Sequence, residues 1–418
     1  MIVLGKVKNL AAFCLLAGVP SYLGAQTPED RALLQTLSHQ VNDLQAKIKQ
    51  LEAKLENAAT RVSAPEAKVS QAPTLSPEPT IIAAKAESPS APTLSFHGYG
   101  DLGFERQGLG DGRTSSFALG QVDLFVTSRI GDHFGLLMET VLENKESNGL
   151  SVDLERFIFQ YRQNQYFNVD IGRYHSAIGY YNTAFHHGKW FQTAATRPRL
   201  FNFEDDGGVL PMHNVGVSFY GAVPSPKLNL GYTVEIGNGR DYRTESVQTV
   251  KDNTRGKSIN LALHSRPSKI SGLELGASLY RDRLNLNHVP IAQQILAAYG
   301  AYNRGRLEAI TEFVGVKHTQ TTPGIAKIST YLPGLYTQWS YRVSGAWRPY
   351  FRYEWANSSP RDPIIRGLVD GGVLRSSYVG GIRYDLSEFA AVKFESQRVL
   401  RRNQPGETTA EVNFSFTF

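Results

Sequence analysis

Glu411-Val-Asn-Phe-Ser-Phe-Thr-Phe418 alternates polar and apolar residues without a slip. Val412, Phe414, Phe416 and Phe418 fall on one face, and Glu411, Asn413, Ser415 and Thr417 on the other. A period of two residues is a β-strand whose two sides meet different solvents.

The same period recurs outward from that strand. Alternating stretches occupy 94–106, 117–130, 133–144, 152–163, 166–174, 213–223, 228–236 and 257–266. They continue at 272–282, 292–303, 306–317, 333–343, 346–356, 375–385, 388–398 and 410–418, sixteen in all. Connections after even-numbered stretches are tight: Gly131-Asp132, Asn164-Gln165, Pro224 to Lys227, Pro267 to Ser271, Arg304-Gly305, Ser344-Gly345 and Leu386-Ser387. Those after odd-numbered stretches are much longer. Strict short–long alternation fits a barrel with one rim on each side of a membrane, whereas a soluble sandwich shows Greek-key irregularity. The expected fold is all-β: a sixteen-stranded antiparallel transmembrane barrel over 94–418. The competing class is a soluble, surface-exposed β-rich binding protein.

Composition suits the barrel. Hydrophobic residues make up 41% and aromatics 11%, with 38 Gly and 20 Tyr. Such a barrel needs no more apolar content, because every second residue faces water. Val122, Leu124, Val126, Leu136, Met138, Phe157, Phe159, Tyr161, Ile259, Leu261, Leu263, Leu273, Leu275 and Leu279 share the parity expected to face lipid. Asp123, Thr127, Arg129, Glu139, Arg156, Gln160, Arg162, Asn260, His264 and Glu274 hold the opposite parity. A Lys or Arg at the lipid midplane costs about 2–4 kcal/mol, so these belong in a wet interior. Trp347, Phe351, Tyr353 and Trp355 read as an aromatic girdle. Over 292–317 the register stays open, because Ile310, Val314 and Val316 compete with Leu307, Ala309 and Phe313.

Three segments precede the barrel. Lys6 and Lys8, an apolar run from Leu10 to Val19 and Tyr22-Leu-Gly-Ala25 read as a signal peptide over 1–25. The single cysteine, Cys14, lies inside it, so no disulfide or thiolate chemistry is expected in the remainder. Residues 26–62 carry an unbroken heptad seam of Leu34, Leu37, Val41, Leu44, Ile48, Leu51 and Leu55, the signature of a self-associating coiled coil. Rules for parallel coils allow two strands on that seam; three are expected here, because the barrel belongs to a class usually built as trimers. Residues 63–93 are rich in Ala, Pro and Ser and read as an extended periplasmic linker. At about 3 Å per residue it spans up to roughly 95 Å, enough to bring the coil toward the cell wall, so peptidoglycan is a second expected partner.

The strand ending in Phe414, Phe416 and Phe418 resembles the closing strand of bacterial outer-membrane barrels, which implies recognition by the barrel-assembly machinery. Val169-Asp-Ile-Gly-Arg-Tyr174 running into Ile178-Gly-Tyr-Tyr181 is similar to the Gly-Arg-aromatic, Gly-aromatic stretch of trimeric porins such as the phosphate-selective porin O and P family or the carbohydrate-porin type. That resemblance covers roughly 94–418. It implies a homotrimer in outer-membrane lipid, a third outer loop folded into the lumen, and passive diffusion of small hydrophilic solutes or ions. The phosphate-binding arginines and lysine of that family have no residue-by-residue match here, so phosphate selectivity is not carried over.

The long connection over 175–212 is the expected constriction, with Tyr180, Tyr181, Phe185, His186, His187, Lys189, Trp190, Arg197, Arg199, Glu204, Asp205 and Asp206 as its candidate residues. Arg129, Arg156, Arg162, Arg348, Arg352, Arg383 and Lys393 are the candidate pore-lining wall. From residue 94 onward 35 Lys and Arg face 30 Asp and Glu, a small positive excess. Two readings stand. The basic side chains give the pore an anion-attracting field, or they pair across the wall with Asp123, Glu139, Glu354, Asp385 and Glu395. Loop aromatics, Phe191 and Phe201 among them, offer a third option, stacking on sugar rings. No helix carries two His one turn apart, and no Gly-x-Ser-x-Gly elbow or Gly-rich phosphate loop occurs. His186 and His187 diverge on an extended chain and make a poor metal pair. Neither enzyme activity nor any cofactor, metal or nucleic-acid partner is expected. The alternative role is a structural tether between outer membrane and cell wall.

Overall fold

The computed structural model describes residues 92–107, 114–144, 149–185, 188–203, 208–240, 256–286, 289–321, 327–357, 359–362, 364, 374–401 and 405–418. The expected signal peptide, the coiled-coil seam from Leu34 to Leu55 and nearly all of the linker lie outside them. So do His186, His187, Glu204, Asp205 and Asp206.

The strands are β1 (Thr93–Gln107), β2 (Thr114–Ile130), β3 (Phe134–Asn144), β4 (Leu150–Asn164), β5 (Phe167–His175), β6 (His213–Val223), β7 (Leu230–Asn238) and β8 (Lys257–Ser265). They continue as β9 (Leu273–Leu286), β10 (Val289–Arg304), β11 (Leu307–Gln320), β12 (Ile328–Tyr341), β13 (Trp347–Ala356), β14 (Leu374–Asp385), β15 (Ala390–Arg401) and β16 (Glu407–Thr417). Each pairs antiparallel with the next, and β16 pairs with β1 to close the barrel. All sixteen expected strands are present. Several are longer than their alternation suggests; β9 runs on to Leu286 and β12 begins at Ile328.

The closing seam is made by β1 and the alternating stretch 411–418 of β16. Leu102 faces Phe414, Gly100 faces Phe416, and Gly98 and Phe418 exchange backbone hydrogen bonds. The rings of Phe416 and Phe418 lie over Gly100 and Gly98, where a Cβ would meet them within 3 Å.

Outside, the barrel is apolar. Phe157, Phe159, Ile259, Leu261, Leu263, Leu275 and Leu279 are exposed on the parity expected for lipid, as are Trp347 and Phe351 of the girdle. Among the described residues, four register shifts interrupt that parity, and two of them carry large apolar residues outward. One lies between β1 and β2 beside Gly100 and turns Phe117 and Leu119 outward. Another, beside Glu139, lets Val152 and Leu154 share the outer surface with Phe157 although their numbers differ in parity.

The open register over 292–317 is resolved, with Ile310, Val314 and Val316 inward and fully buried. Their alternation is blurred because both faces of these strands are apolar. The inner one packs against protein, not water. Ile295, Ala297, Ala301, Ile310, Val314, Val316, Leu332 and Tyr336 of the wall form one core with Ile178, Tyr181, Leu200, Phe201, Leu210 and Met212 of the connection between β5 and β6. That connection is folded inside the barrel.

Candidate functional site

The inserted loop, 176–212, begins where its motif dictates. Gly172 has φ +136°, and a Cβ there would fall 1.9 Å from the Phe157 carbonyl oxygen. Arg173 beyond it is buried and donates Nε to the Glu155 carbonyl at 3.0 Å. Gly179 has φ +74°, and its missing side chain makes room for the carboxylate of Glu312. Glu312 then accepts the backbone N–H groups of Tyr180 at 2.6 Å and Tyr181 at 2.8 Å, with the Tyr336 hydroxyl as a third donor. The Gly-Arg-Tyr and Gly-Tyr-Tyr runs thus serve to turn the chain inward and fix it on a buried carboxylate.

Carboxylates on alternate strands repeat that arrangement. Glu235 on β7 accepts Ala177 N–H, Glu354 on β13 accepts Arg199 N–H at 2.7 Å, and Glu395 on β15 accepts Ala195 N–H at 2.9 Å and Thr196 N–H. Glu308 on β11 accepts the Thr193 hydroxyl at 2.8 Å. Cations hold the loop carbonyls. Arg352 donates to Thr196 and Arg197, Arg383 to Trp190 and Gln192, and Lys393 to Lys189 and Ala194. A loop without a neighbouring strand must satisfy its backbone polar groups elsewhere. Here charged wall residues do so, through the stronger charge-assisted bonds.

These bonds change the role of several expected pore-lining residues. Arg352 and Lys393 have no exposed surface and lie beneath the loop, and Arg383 is buried with its Nε on Asp385 at 2.6 Å. Arg348 is half-buried against Glu308. Arg156 and Arg162 stay partly exposed, paired with Glu139 and Asp170 at 2.5 Å each. Arg129 is exposed at the barrel end and donates to the Gly131 carbonyl. Of the carboxylates expected to pair across the wall, Glu139 takes Arg156 from the neighbouring strand, Glu354 and Asp385 take Arg352 and Arg383 two residues away on their own strands, and Glu395 and Asp123 take other donors.

The loop aromatics divide in the same way. Tyr181 and Phe201 are buried in the core, and Tyr180 and Phe185 pack against it. Trp190 is half-buried under the Arg383 guanidinium, 4.9 Å from its ring centre. Phe191 is exposed, at 42%. Burial also raises the Tyr181 hydroxyl to about 12, so it stays protonated. Lys189, at the loop tip, reaches Asp101 on β1 at 3.2 Å and Glu411 on β16 at 3.4 Å.

With the loop bonded to β7, β11 and β13 to β16 and its tip tied to β1, the inner wall from β2 to β6 borders the remaining space. Inner residues Phe125, Thr127, Gln160, Arg162 and Asp170 keep partial exposure there, against none for Val314, Arg352 or Glu354 under the loop. A chain of contacts rims that space. Phe191 lies 4.6 Å from Tyr99, Tyr99 lies 5.3 Å from Phe125, and Arg156 sits 5.3 Å over Phe125. Beyond Arg156 come Glu139, then His175 and His213 with ring centres 5.5 Å apart, then Phe203 stacked on His213. Arg197 covers Phe203 at 3.8 Å, and loop residues 191–203 complete the circuit. Sequence reading missed Tyr99 and Phe125 as partly exposed rim residues, and Glu139 and His213 as the buried residues that link the rim. Their inward parity was legible, but which inward residues the loop would leave uncovered was not.

No protein-family model matches the chain, and no curated protein does. Solved structures do match. The anion-selective porin from Comamonas acidovorans is similar at 12% identity with a TM-score of 0.56, over 78% of this chain and 100% of the other. The outer membrane channel DcaP of Acinetobacter baumannii is similar at 10% identity and TM-score 0.55, over 80% and 100%. OmpT of Vibrio cholerae, in-vitro folded and in trimer form, is similar at 10% identity and TM-score 0.52, over 79% and 100%. At these identities the likeness is one of fold: the sixteen-stranded barrel of bacterial porins.

Proposed function

We propose that this chain is an outer-membrane porin through which small hydrophilic solutes or ions diffuse passively, with the 176–212 loop as its constriction. The carrying observation is a folded loop bolted inside a closed barrel whose outside is apolar and whose uncovered inner arc is polar and partly exposed. A sixteen-stranded barrel is wide enough to keep an aqueous lumen beside such a loop. Diffusion down a gradient needs no cofactor. The rim pairs, Arg156 with Glu139 and Arg162 with Asp170, offer hydrogen bonds with little net field. Arg197 adds positive charge on the loop side, which supports a mild anion preference. Phe191, Tyr99 and Phe125 support passage of ring-shaped solutes such as sugars.

The same reading gives the chain a signal peptide over 1–25, insertion by the barrel-assembly machinery through the β16 ending, and a homotrimer like the trimer form of the Vibrio protein. The 26–62 coil and 63–93 linker then extend into the periplasm, toward peptidoglycan. Planar-bilayer conductance in a salt gradient tests the function. Channels of defined size should appear and widen when 180–205 is deleted. A purified protein silent before and after that deletion would leave the structural tether as the better account.

A further inference from the structure

Charge is sparse on the outer surface, except near the rim where the long loops emerge. Arg281 and Arg283 on β9 share the parity of lipid-facing Leu275 and Leu279 and are exposed. Arg281 stands opposite Gln294 on β10, which in turn stands opposite Lys317 on β11, also exposed. On the other side Arg281 pairs with Ile259 of β8, so Lys257, two residues further on the same face, adjoins Arg283. Gly256 confirms that placement, since a Cβ there would lie 3.6 Å from that of Arg283. Tyr331 of β12 stands opposite Lys317 and lays its hydroxyl over Gly315, an aromatic marker of the hydrocarbon edge. Among the described residues, the outward face of β8 to β12 carries no Asp or Glu.

Like charges on neighbouring strand positions destabilise a sheet, and at a hydrocarbon edge water screens them poorly. Such a cluster calls for an anion. Its layout specifies which kind: Arg281, Arg283 and Lys257 adjoin one another, while Lys317 lies two strand spacings from Arg281, roughly 10 Å away. A headgroup with two separated anionic groups matches that spacing without drawing the like-charged side chains together.

We propose that Arg281, Arg283 and Lys317, with Lys257 beside them, seat the headgroup of an anionic lipid carrying two phosphates in the outer leaflet. This rests on the reading of the barrel as an outer-membrane protein. Guanidinium groups on one side hold one phosphate through paired N–H donors, and Lys317 holds the other. The site faces lipid and has no part in the lumen.

The full chain, purified in detergent, is titrated with a bis-phosphorylated glucosamine lipid, with phosphatidylglycerol and with inorganic phosphate, and bound lipid is read by native mass spectrometry. The wild type should hold the bis-phosphorylated lipid at least tenfold more tightly than phosphatidylglycerol. Arg281→Ser/Arg283→Ser/Lys317→Ser should weaken it about a hundredfold, roughly fivefold per basic residue. Arg304→Ser/Arg306→Ser, at the opposite rim, should bind as wild type, and heat-modifiable mobility on gels confirms that each variant folds. Equal retention by the triple variant overturns the proposal, as does complete displacement by millimolar inorganic phosphate, which would mark a free-phosphate site. Conductance should be the same in wild type and triple variant. Its absence from both would sink the porin reading and leave the lipid result standing.

Discussion

Arg352 donates Nε to Glu354 at 2.8 Å, and neither side chain has any exposed surface. The two residues point at the loop. Arg352 spends its remaining donors on Thr196, Arg197 and Gln338, and Glu354 accepts Arg199 N–H. A buried pair contributes little against an apolar substitute, but breaking it strands a charge. Its value here is positional, because it fixes the middle of the inserted loop to one strand.

Arg352→Met should therefore destabilise the loop's seat by about 3–5 kcal/mol, the usual penalty for leaving a buried partner alone. The β-ladder is untouched, so the barrel should still fold and insert. Single-channel conductance should rise and become noisier, and the 190–199 segment should become sensitive to protease. Conductance and proteolysis both unchanged would show that the loop does not depend on this pair.

Lys189 ties the loop tip to β1 and β16. Burial disfavours its ammonium, but Glu411 and Asp101 outweigh that and hold its pKa above the ordinary lysine range. A raised folded-state pKa means that the stabilisation is complete below the ordinary lysine value and is lost only as pH climbs through the higher, folded one. The tip should resist chymotrypsin at Trp190 and Phe191 equally from neutral pH to about 10. Lys189→Met should remove that resistance across the same window. A tip that loosens already between pH 7 and 9 would contradict the assignment.

The barrel was legible because lipid outside and water inside impose opposite demands on alternate residues, as in 411–418. Legibility failed where protein replaced water. Val314 and Phe313 look equivalent in sequence because the inner face of β11 meets a loop, and an apolar lumen face is indistinguishable from an apolar lipid face. Arg352 and Arg156 look equivalent for the same reason: both are inward cations, yet one holds backbone and the other borders open space. The bulge beside Glu139, which carries Val152 and Leu154 outward, leaves no mark in local composition. The loop itself was recognisable by its length and aromatics, but its fastening by Glu235, Glu312 and Glu395 depends on contacts between residues 58 to 200 positions apart.

Phe191 and Phe201 separate two roles for loop aromatics. Phe201 has no exposure, and Phe201→Ala should cost about 3–5 kcal/mol in the loop core, with a wider, unstable pore. Phe191 is exposed beside Tyr99, so Phe191→Ala should leave conductance in simple salt nearly intact and weaken block by oligosaccharides several-fold. Equal block in wild type and Phe191→Ala would remove ring stacking from the account.

On the proposed reading, the heptad seam of 26–62 is separated from the barrel by the 63–93 linker, so the barrel should not need it to fold. Leu44→Asp with Ile48→Asp should lower the oligomer's resistance to dissociation or its retention on cell-wall material, while each barrel keeps its heat-modifiable mobility. If neither oligomer stability nor cell-wall retention changes, the seam is not an oligomer core.

Selectivity should follow exposure to the rim, not the count of basic residues. Arg197 stands over Phe203 at the border of the open space. Arg199, three residues before the end of the bonded stretch at Asn202, is placed among Glu354, Arg401 and Glu407, and burial lowers its pKa. Arg156 is partly exposed but shares its charge with Glu139. Reversal potentials in a salt gradient should therefore shift toward cations for Arg197→Gln and for Arg156→Gln, which leaves Glu139 without its partner, and least for Arg199→Gln. Arg352→Gln should alter pore size more than ion preference. If Arg199→Gln shifts the reversal potential as far as Arg197→Gln does, the field is set by the whole vestibule and the rim described by Phe191, Tyr99, Phe125 and Arg156 is not the selective element.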